Sequence, residues 1–178
     1  MTNFALLCFV LENSQSKWAQ NVAASSLKRM AADHWCHFPK PDAIPLKDSV
    51  CRFLMNKGSQ CDQQVLKMVI MLLVKILKLA WFDIPELQSV IADLVKLGSV
   101  SERHLLISLT ALEEMIIEMG YVTRGKNLHL HRRISVNFRD MQLLRILENT
   151  LEQVRRYTDS VLANQAFSQI RIDGNSIT

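Results

Sequence analysis

The first group of side chains that could do chemistry in this sequence resembles a metal site. His34, Cys36 and His37 lie close together in the chain, and imidazole and thiolate groups are the usual ligands of zinc. Their spacing lacks the paired C-x-x-C or H-x-x-x-H arrangement that places four ligands around a tetrahedral ion. We therefore interpret this cluster as part of an ordinary loop and expect no bound metal.

A second group consists of carboxylates on one predicted helix. Glu113, Glu114 and Glu118 could form a carboxylate patch on one helix, because residues four apart, such as Glu114 and Glu118, lie on the same side of a helix. A solvated helix face accounts for them better. Motifs of enzymes are also absent from the sequence: there is no Gly-rich phosphate loop, no G-x-S-x-G and no H-E-x-x-H. We expect neither an enzyme nor a cofactor.

A third group is cationic. His129 and His131 alternate within the basic segment 124–133, which could contact an acidic partner or RNA. Tyr121 is the one aromatic residue beside it, so stacking on bases is not indicated. The polar and aperiodic stretch 121–137 as a whole predicts a solvated loop between structural repeats.

The composition limits the fold and the partners. Of the 178 residues, 49% are apolar, and there are only five glycines and four prolines, too few for the many turns of a sandwich, barrel or propeller. The longest wholly apolar run of the most hydrophobic segment covers residues 68–74, whereas a membrane span needs about 20 residues. The net charge of +4 is divided between basic ends and an acidic middle. We therefore expect no membrane partner, and nucleic acid is disfavoured.

The apolar periodicity predicts helices that alternate between short and long. The long helices begin near residues 16, 61 and 101, a period in the range of HEAT and armadillo repeats, about 40–47 residues. A four-helix bundle with extra helices is the competing fold, but a bundle has no reason to keep this period. We predict an all-α, HEAT/armadillo-like solenoid of helix pairs over residues 1–165 and a polar, disordered tail over 166–178. The predicted helices cover residues 3–12, 16–33, 46–57, 61–80, 86–97, 100–119 and 138–165.

Two details of these helices carry further expectations. Trp18 and Val22 fall on the apolar stripe of the helix at 16–33, which indicates burial. Pro39, Pro41 and Pro45 predict a loop before the helix at 46–57, because proline disrupts a helix interior.

The helix at 61–80 is apolar around most of its circumference, except for one stripe of lysines. Lys67, Lys75 and Lys78 share this narrow stripe. A helix of this kind must be covered on both flanks, as an internal helix of a solenoid is. The stripe either keeps one edge of the helix in solvent or lines a binding surface for an acidic partner, and these three lysines are our candidate partner-binding residues.

Several segments resemble known transport receptors. Residues 18–28, followed by His34-Trp35, resemble the amino-terminal signature of importin-β-type receptors, a likeness that extends over residues 5–35. Residues 78–83, Lys-Leu-Ala-Trp-Phe-Asp, are similar to the Lys-Leu-Gly-Trp-Phe-Asp break of exportins of the exportin-seven type, also called the Ran-binding-protein-sixteen type. Residues 98–108 resemble the start of the helix that follows this break. Residues 131–140, which contain His-Arg-Arg-Ile and Asn-Phe-Arg-Asp, are similar to the His-Arg-Lys-Ile and Ser-Phe-Arg-Asp of that type.

This resemblance implies a HEAT-repeat nuclear transport receptor. Such receptors bind Ran in its GTP state through their amino-terminal repeats, bind protein cargo and the Phe-Gly repeats of the nuclear pore, and move between nucleus and cytoplasm. In this chain the Ran contacts would come from the helices at 61–80 and 100–119. The alternative is a stand-alone helical-repeat scaffold that binds acidic peptides or nucleic acid.

The chain also departs from the family. The family is several times longer, and the likeness is lost from Tyr157 onward, so we expect a fragment, a truncated isoform or a degraded copy. A solenoid cut at both ends exposes apolar faces that a neighbouring repeat would otherwise cover. We therefore expect the isolated chain to be marginally stable or to self-associate.

Overall fold

The computed structural model describes residues 3–35, 40–122 and 127–174, and it describes side chains as far as Ala163 except those of Asn3 and His34. Every regular element in this part of the chain is helical. The α-helices are α1 (Asn3–Asn13), α2 (Lys17–His34), α3 (Lys40–Lys57), α4 (Gln63–Ala80), α5 (Val90–Gly98), α6 (Glu102–Gly120), α7 (Leu128–Phe138) and α8 (Leu144–Gly174). A 3-10 turn, Pro85–Ser89, precedes α5, and a π-helical turn, Arg139–Leu143, joins α7 to α8.

The helices form pairs that stack in two layers. Helix α1 packs against α2, α3 against α4, and α5 against α6. One layer contains α1, α3 and α5 in order, and the other contains α2, α4 and α6 in order. Each pair is thus covered by its neighbours in sequence, which is the arrangement of a solenoid. The predicted α-solenoid is confirmed.

Polar side chains at the helix starts explain where the helices begin. Ser16 accepts a hydrogen bond from the amide of Ala19 at the start of α2, and Ser101 accepts one from His104 at the start of α6. Asp62 accepts a hydrogen bond from the amide of Gln64 at the start of α4, and Asn127 accepts hydrogen bonds from two amides of α7. Each cap satisfies amide groups that have no partner within their own helix.

Helix α4 lies at the centre of the hydrophobic core. Ten of its eighteen residues are buried, and it packs against α2, α3 and α6. Trp81, which follows it, is also fully buried. The expectation that this apolar helix is covered on both flanks is confirmed. None of the described helices combines the length and the apolar character that a crossing of the bilayer requires.

Two predicted loops are helical instead. Helix α3 begins at Lys40, so Pro41 lies in its first turn, where the missing N–H has no intrahelical partner to lose. Pro45 lies inside the helix, where the missing N–H removes one backbone hydrogen bond near the start of α3. The predicted loop at 121–137 is wrong from residue 128 onward: α7 forms there because Asn127 caps it and because Ile134 and Phe138 bury one face.

Other expectations fall partly outside the described residues. Cys36 and His37 of the metal-like cluster, Pro39, and Arg124 and Lys126 of the basic segment lie there, as do residues 175–178. Among the residues that are described, no group of three His, Cys, Asp or Glu side chains could hold a metal ion. The division of the chain into a solenoid and a tail stays a prediction, although α8 continues past residue 165.

Candidate partner-binding surface

The outward faces of α2, α4 and α6 form one continuous surface, since these three helices lie side by side in the same layer. Their opposite faces are buried against the rest of the protein. We call this face the α2–α4–α6 surface and define it by the exposed residues Trp18, Val22, Arg29, Lys67, Arg103, Leu106, Thr110, Glu113 and Ile117.

Apolar side chains project from this surface at several points. Trp18 is 75% exposed, and Leu106 and Ile117 are each more than half exposed. The predicted burial of Trp18 and Val22 is wrong. The buried side of α2 is formed by Gln20, three small alanines and Leu27, and this side points away from Trp18.

A trough with mixed charges lies between the C-terminal halves of α2, α4 and α6. It has a volume of about 330 Å³. Apolar side chains, among them Met71 and Val74, form its floor. Its walls carry three basic and three acidic side chains: Lys28, Arg29, Asp33, Lys75, Glu114 and Glu118. Charges of both signs around a small apolar floor suit a polar protein surface better than an apolar small molecule.

The three candidate lysines have different environments. Lys67 is exposed on the α2–α4–α6 surface. Lys75 is half-buried, and its ammonium lies 2.9 Å from Oε1 of Glu118. Lys78 is buried, with 6% of its surface exposed. The prediction of a lysine stripe that faces solvent is therefore wrong for Lys78, and whether any of the three binds a partner stays a prediction.

Lys78 is buried because the end of α6 lies over it. Its ammonium donates hydrogen bonds of 2.6 Å to the backbone carbonyls of Glu118 and Tyr121, and it lies 3.3 Å from Oε1 of Glu118. These carbonyls belong to the C-terminus of α6, where a positive charge is favourable. Burial lowers the pKa of Lys78 and outweighs the opposing effect of Glu118. Lys78 thus fastens α6 to α4.

The segments at 78–83 and 131–140, which carry the likeness to exportins, meet in space. The indole Nε1 of Trp81 donates a hydrogen bond of 2.8 Å to Oδ1 of Asn137. The same ring packs edge-on against Phe138 with 5.6 Å between ring centres, and the guanidinium of Arg133 lies 5.1 Å from the centre of the Phe82 ring. Residues about fifty positions apart therefore form one junction between α4 and α7.

His131 extends this junction towards Lys78. Its Nδ1 is buried without a hydrogen-bond partner among the described residues. Burial lowers the pKa of His131, and the positive charge of Lys78 lowers it further. These two effects favour the neutral imidazole and outweigh the opposing effect of Glu118.

The remaining candidates for chemistry have structural roles or lie in solvent. Glu118 is occupied by Lys75 and Lys78, whereas Glu113 is exposed, so the three glutamates do not converge on one site. Burial raises the pKa of the Cys8 thiol to about 11 and that of Cys51 to about 12, which leaves both thiols protonated and unreactive at neutral pH.

Comparison of the sequence with known proteins finds relatives of the same type that these two segments indicate. The chain is 25% identical over 142 residues to Ran-binding protein 17 of Homo sapiens and 26% identical over 141 residues to Exportin-7-A of Xenopus laevis. The resemblance to exportins of this type is confirmed. The alignments cover 78% and 77% of this chain but only 13% of each relative, so the chain corresponds to a small part of those proteins. No family model and no solved structure matches the sequence.

Proposed function

We propose that this chain acts as a segment of an exportin-like nuclear transport receptor and that its α2–α4–α6 surface binds Ran in the GTP-bound state. The similarity to proteins named as an exportin and as a Ran-binding protein supports the proposal. The chain spans about 13% of their length, so the activity of a whole receptor belongs to the proposal and not to the similarity itself.

The observation that carries the choice of surface is its pattern of exposed side chains. Trp18, Leu106 and Ile117 project into solvent, and Arg29 and Lys67 lie among them. Protein interfaces combine a largely apolar centre, enriched in aromatic residues and arginine, with a polar rim, and a few residues such as Trp and Arg contribute most of the binding energy. The opposite layer, α1, α3 and α5, lies on the other side of the core, and within the described ranges the side chains that define the α2–α4–α6 surface are exposed.

The remaining functions of a transport receptor extend this proposal. Cargo and the Phe-Gly repeats of the nuclear pore would bind outside the α2–α4–α6 surface, and the protein would move between nucleus and cytoplasm. If Ran-GTP and cargo both favour the same curvature of the solenoid, each would raise the affinity of the receptor for the other. Coupling of this kind is typically about 1–3 kcal/mol between two sites.

The test is an affinity measurement with Ran in two nucleotide states. Ran loaded with a non-hydrolysable GTP analogue or with GDP is immobilised, and the purified chain is titrated over it. We expect tighter binding to the GTP form. Equal binding to both forms, together with salt-sensitive binding to polyanions, would instead support the stand-alone scaffold, since contacts with polyanions weaken as salt rises.

Variants identify the surface that binds. We expect Trp18→Ala to weaken binding by at least about tenfold, as for an anchor that contributes more than about 1.4 kcal/mol. Lys67→Glu should weaken it mainly through a slower association rate. Lys96→Glu is the matched control, because Lys96 is an exposed lysine on α5 in the other layer. Loss of binding with Lys96→Glu and not with Trp18→Ala would refute the assignment of the surface.

A further inference from the structure

Helix α8 exposes a long apolar stripe on the side that faces away from the solenoid. Leu144 and Leu151 are 63% and 61% exposed, and Leu147 and Val154 are also exposed. The opposite side is fastened to the protein, because Ile146 and Gln153 are buried and the Gln153 amide donates a hydrogen bond to the carbonyl of Val95 in α5. The helix is thus held in place by one side while it presents the other to solvent.

The spacing of this stripe is that of a coiled-coil seam. Leu144, Leu147, Leu151 and Val154 are separated by three, four and three residues, and Thr158 and Val161 continue the same pattern. Residues at alternating spacings of three and four line the a and d positions where two helices pack along each other. From Leu144 to Val161 the stripe is about 26 Å long at the helical rise per residue. A second helix with the same pattern of apolar residues can cover the stripe along this whole length.

The charges beside the stripe select a second copy of the same helix in antiparallel orientation. When Leu151 packs against Val154 of the second copy, Glu148 lies opposite Arg155 of that copy, and two-fold symmetry creates this pair twice. A parallel pairing would place Glu148 near Leu143 and Arg155 near Thr150, without an opposite charge. Among the side chains that the structure describes, Arg155 has an exposed contact of 4.0 Å with Asp159, a weak surface pair that does not prevent its guanidinium from pairing across the seam.

We propose that two copies of this chain associate through α8 as an antiparallel, two-fold symmetric helix pair. The seam consists of Leu144, Leu147, Leu151, Val154, Thr158 and Val161, with Glu148 and Arg155 of the two copies as its ion pairs. The α2–α4–α6 surface is built by other helices, so the dimer does not depend on the proposed binding of Ran.

Sedimentation equilibrium of the full chain under reducing conditions tests this dimer, and the reductant excludes disulfide-linked dimers. We expect a reversible dimer whose fraction rises with concentration. Leu151→Glu should give a monomer with unchanged helicity, because Leu151 contributes to the seam and not to the core. Lys67→Glu is the control, and it should leave the dimer intact while it weakens binding to Ran.

A charge exchange tests the orientation of the helices. Glu148→Arg alone and Arg155→Glu alone each place two like-charged pairs across the seam, and each should weaken dimerisation roughly fivefold to tenfold. The double variant Glu148→Arg/Arg155→Glu restores opposite charges and should recover the affinity of the unmodified chain. A monomer at every concentration would overturn the proposal. Single variants without effect, or a double variant no better than the singles, would overturn it as well.

Discussion

Replacement of Lys78 by methionine tests whether this lysine fastens α6 to α4 rather than facing a partner. Methionine keeps most of the volume and the apolar stem but removes the ammonium. The change eliminates the two hydrogen bonds of 2.6 Å to the carbonyls of Glu118 and Tyr121 and the contact of 3.3 Å with Oε1 of Glu118. Lys75 still neutralises the Glu118 carboxylate from 2.9 Å, so no buried charge is left without a counter-ion.

The size of the effect follows from these contacts. Hydrogen bonds to a charged group contribute about 1.5–3 kcal/mol each, so the two bonds to the carbonyls together contribute about 3–6 kcal/mol. The burial that lowers the pKa of Lys78 opposes this stabilisation, and the carbonyl of Glu118 keeps a hydrogen bond from the amide of Tyr121. We therefore expect a loss near the lower limit, about 3 kcal/mol, which corresponds to a fall in Tm of roughly 6–12 °C for a chain of this size.

The assay is urea denaturation followed by circular dichroism at one fixed protein concentration. Lys67→Met is the matched control, because Lys67 lies on the same helix but is exposed. The free energy of unfolding of Lys67→Met should stay within about 0.5 kcal/mol of that of the unmodified chain, as for most surface substitutions. If Lys78→Met were no less stable than Lys67→Met, the role of Lys78 as a fastener of α6 would be refuted.

Two further predictions concern the junction and the packing of the core. His131 has a folded-state pKa below its ordinary value of 6.5; the unfolded chain therefore binds the proton more readily, and the unfolding free energy should fall as the pH drops through and below about 6.5. His131→Asn should reduce this pH dependence between about pH 7 and 5, and an unchanged dependence would contradict the assignment. Gly58→Ala should destabilise the protein by about 1–3 kcal/mol, because the new Cβ would overlap the carbonyl oxygen of Leu54 and come within 3.1 Å of Ile107. Gly120→Ala is its control, since no atom lies within 4 Å of the added carbon, and equal stability losses in urea denaturation would refute the packing argument.

Periodicity predicts most of the fold because each long helix has to bury one stripe of apolar residues. Helices α4 and α6 follow directly from that pattern. The start of α3 could not be predicted in this way, because Pro41 and Pro45 indicate a loop. Proline is nevertheless compatible with the first turn of a helix, where Pro41 lies. Periodicity does not predict helix α7, because only Ile134 and Phe138 of this helix are buried and most of its other residues are polar or basic.

The candidate site was harder to predict because it depends on contacts between distant parts of the chain. A helical projection places Lys78 beside Lys67, but it does not show that the end of α6, forty residues later, covers Lys78. Trp18 was misplaced for a related reason. Its hydrophobicity indicates burial, whereas Gln20, three alanines and Leu27 form the buried side of α2. The meeting of Trp81 with Asn137 likewise arises only when the helices stack.

The central claim is that this chain binds Ran through the α2–α4–α6 surface in a manner controlled by the nucleotide. Its most direct test is the ratio of the dissociation constants for Ran-GDP and Ran-GTP, measured with the unmodified chain. We predict a ratio of roughly five or more, the lower limit of typical coupling between two sites. A ratio of one, or equally weak binding to both nucleotide states, would contradict the claim.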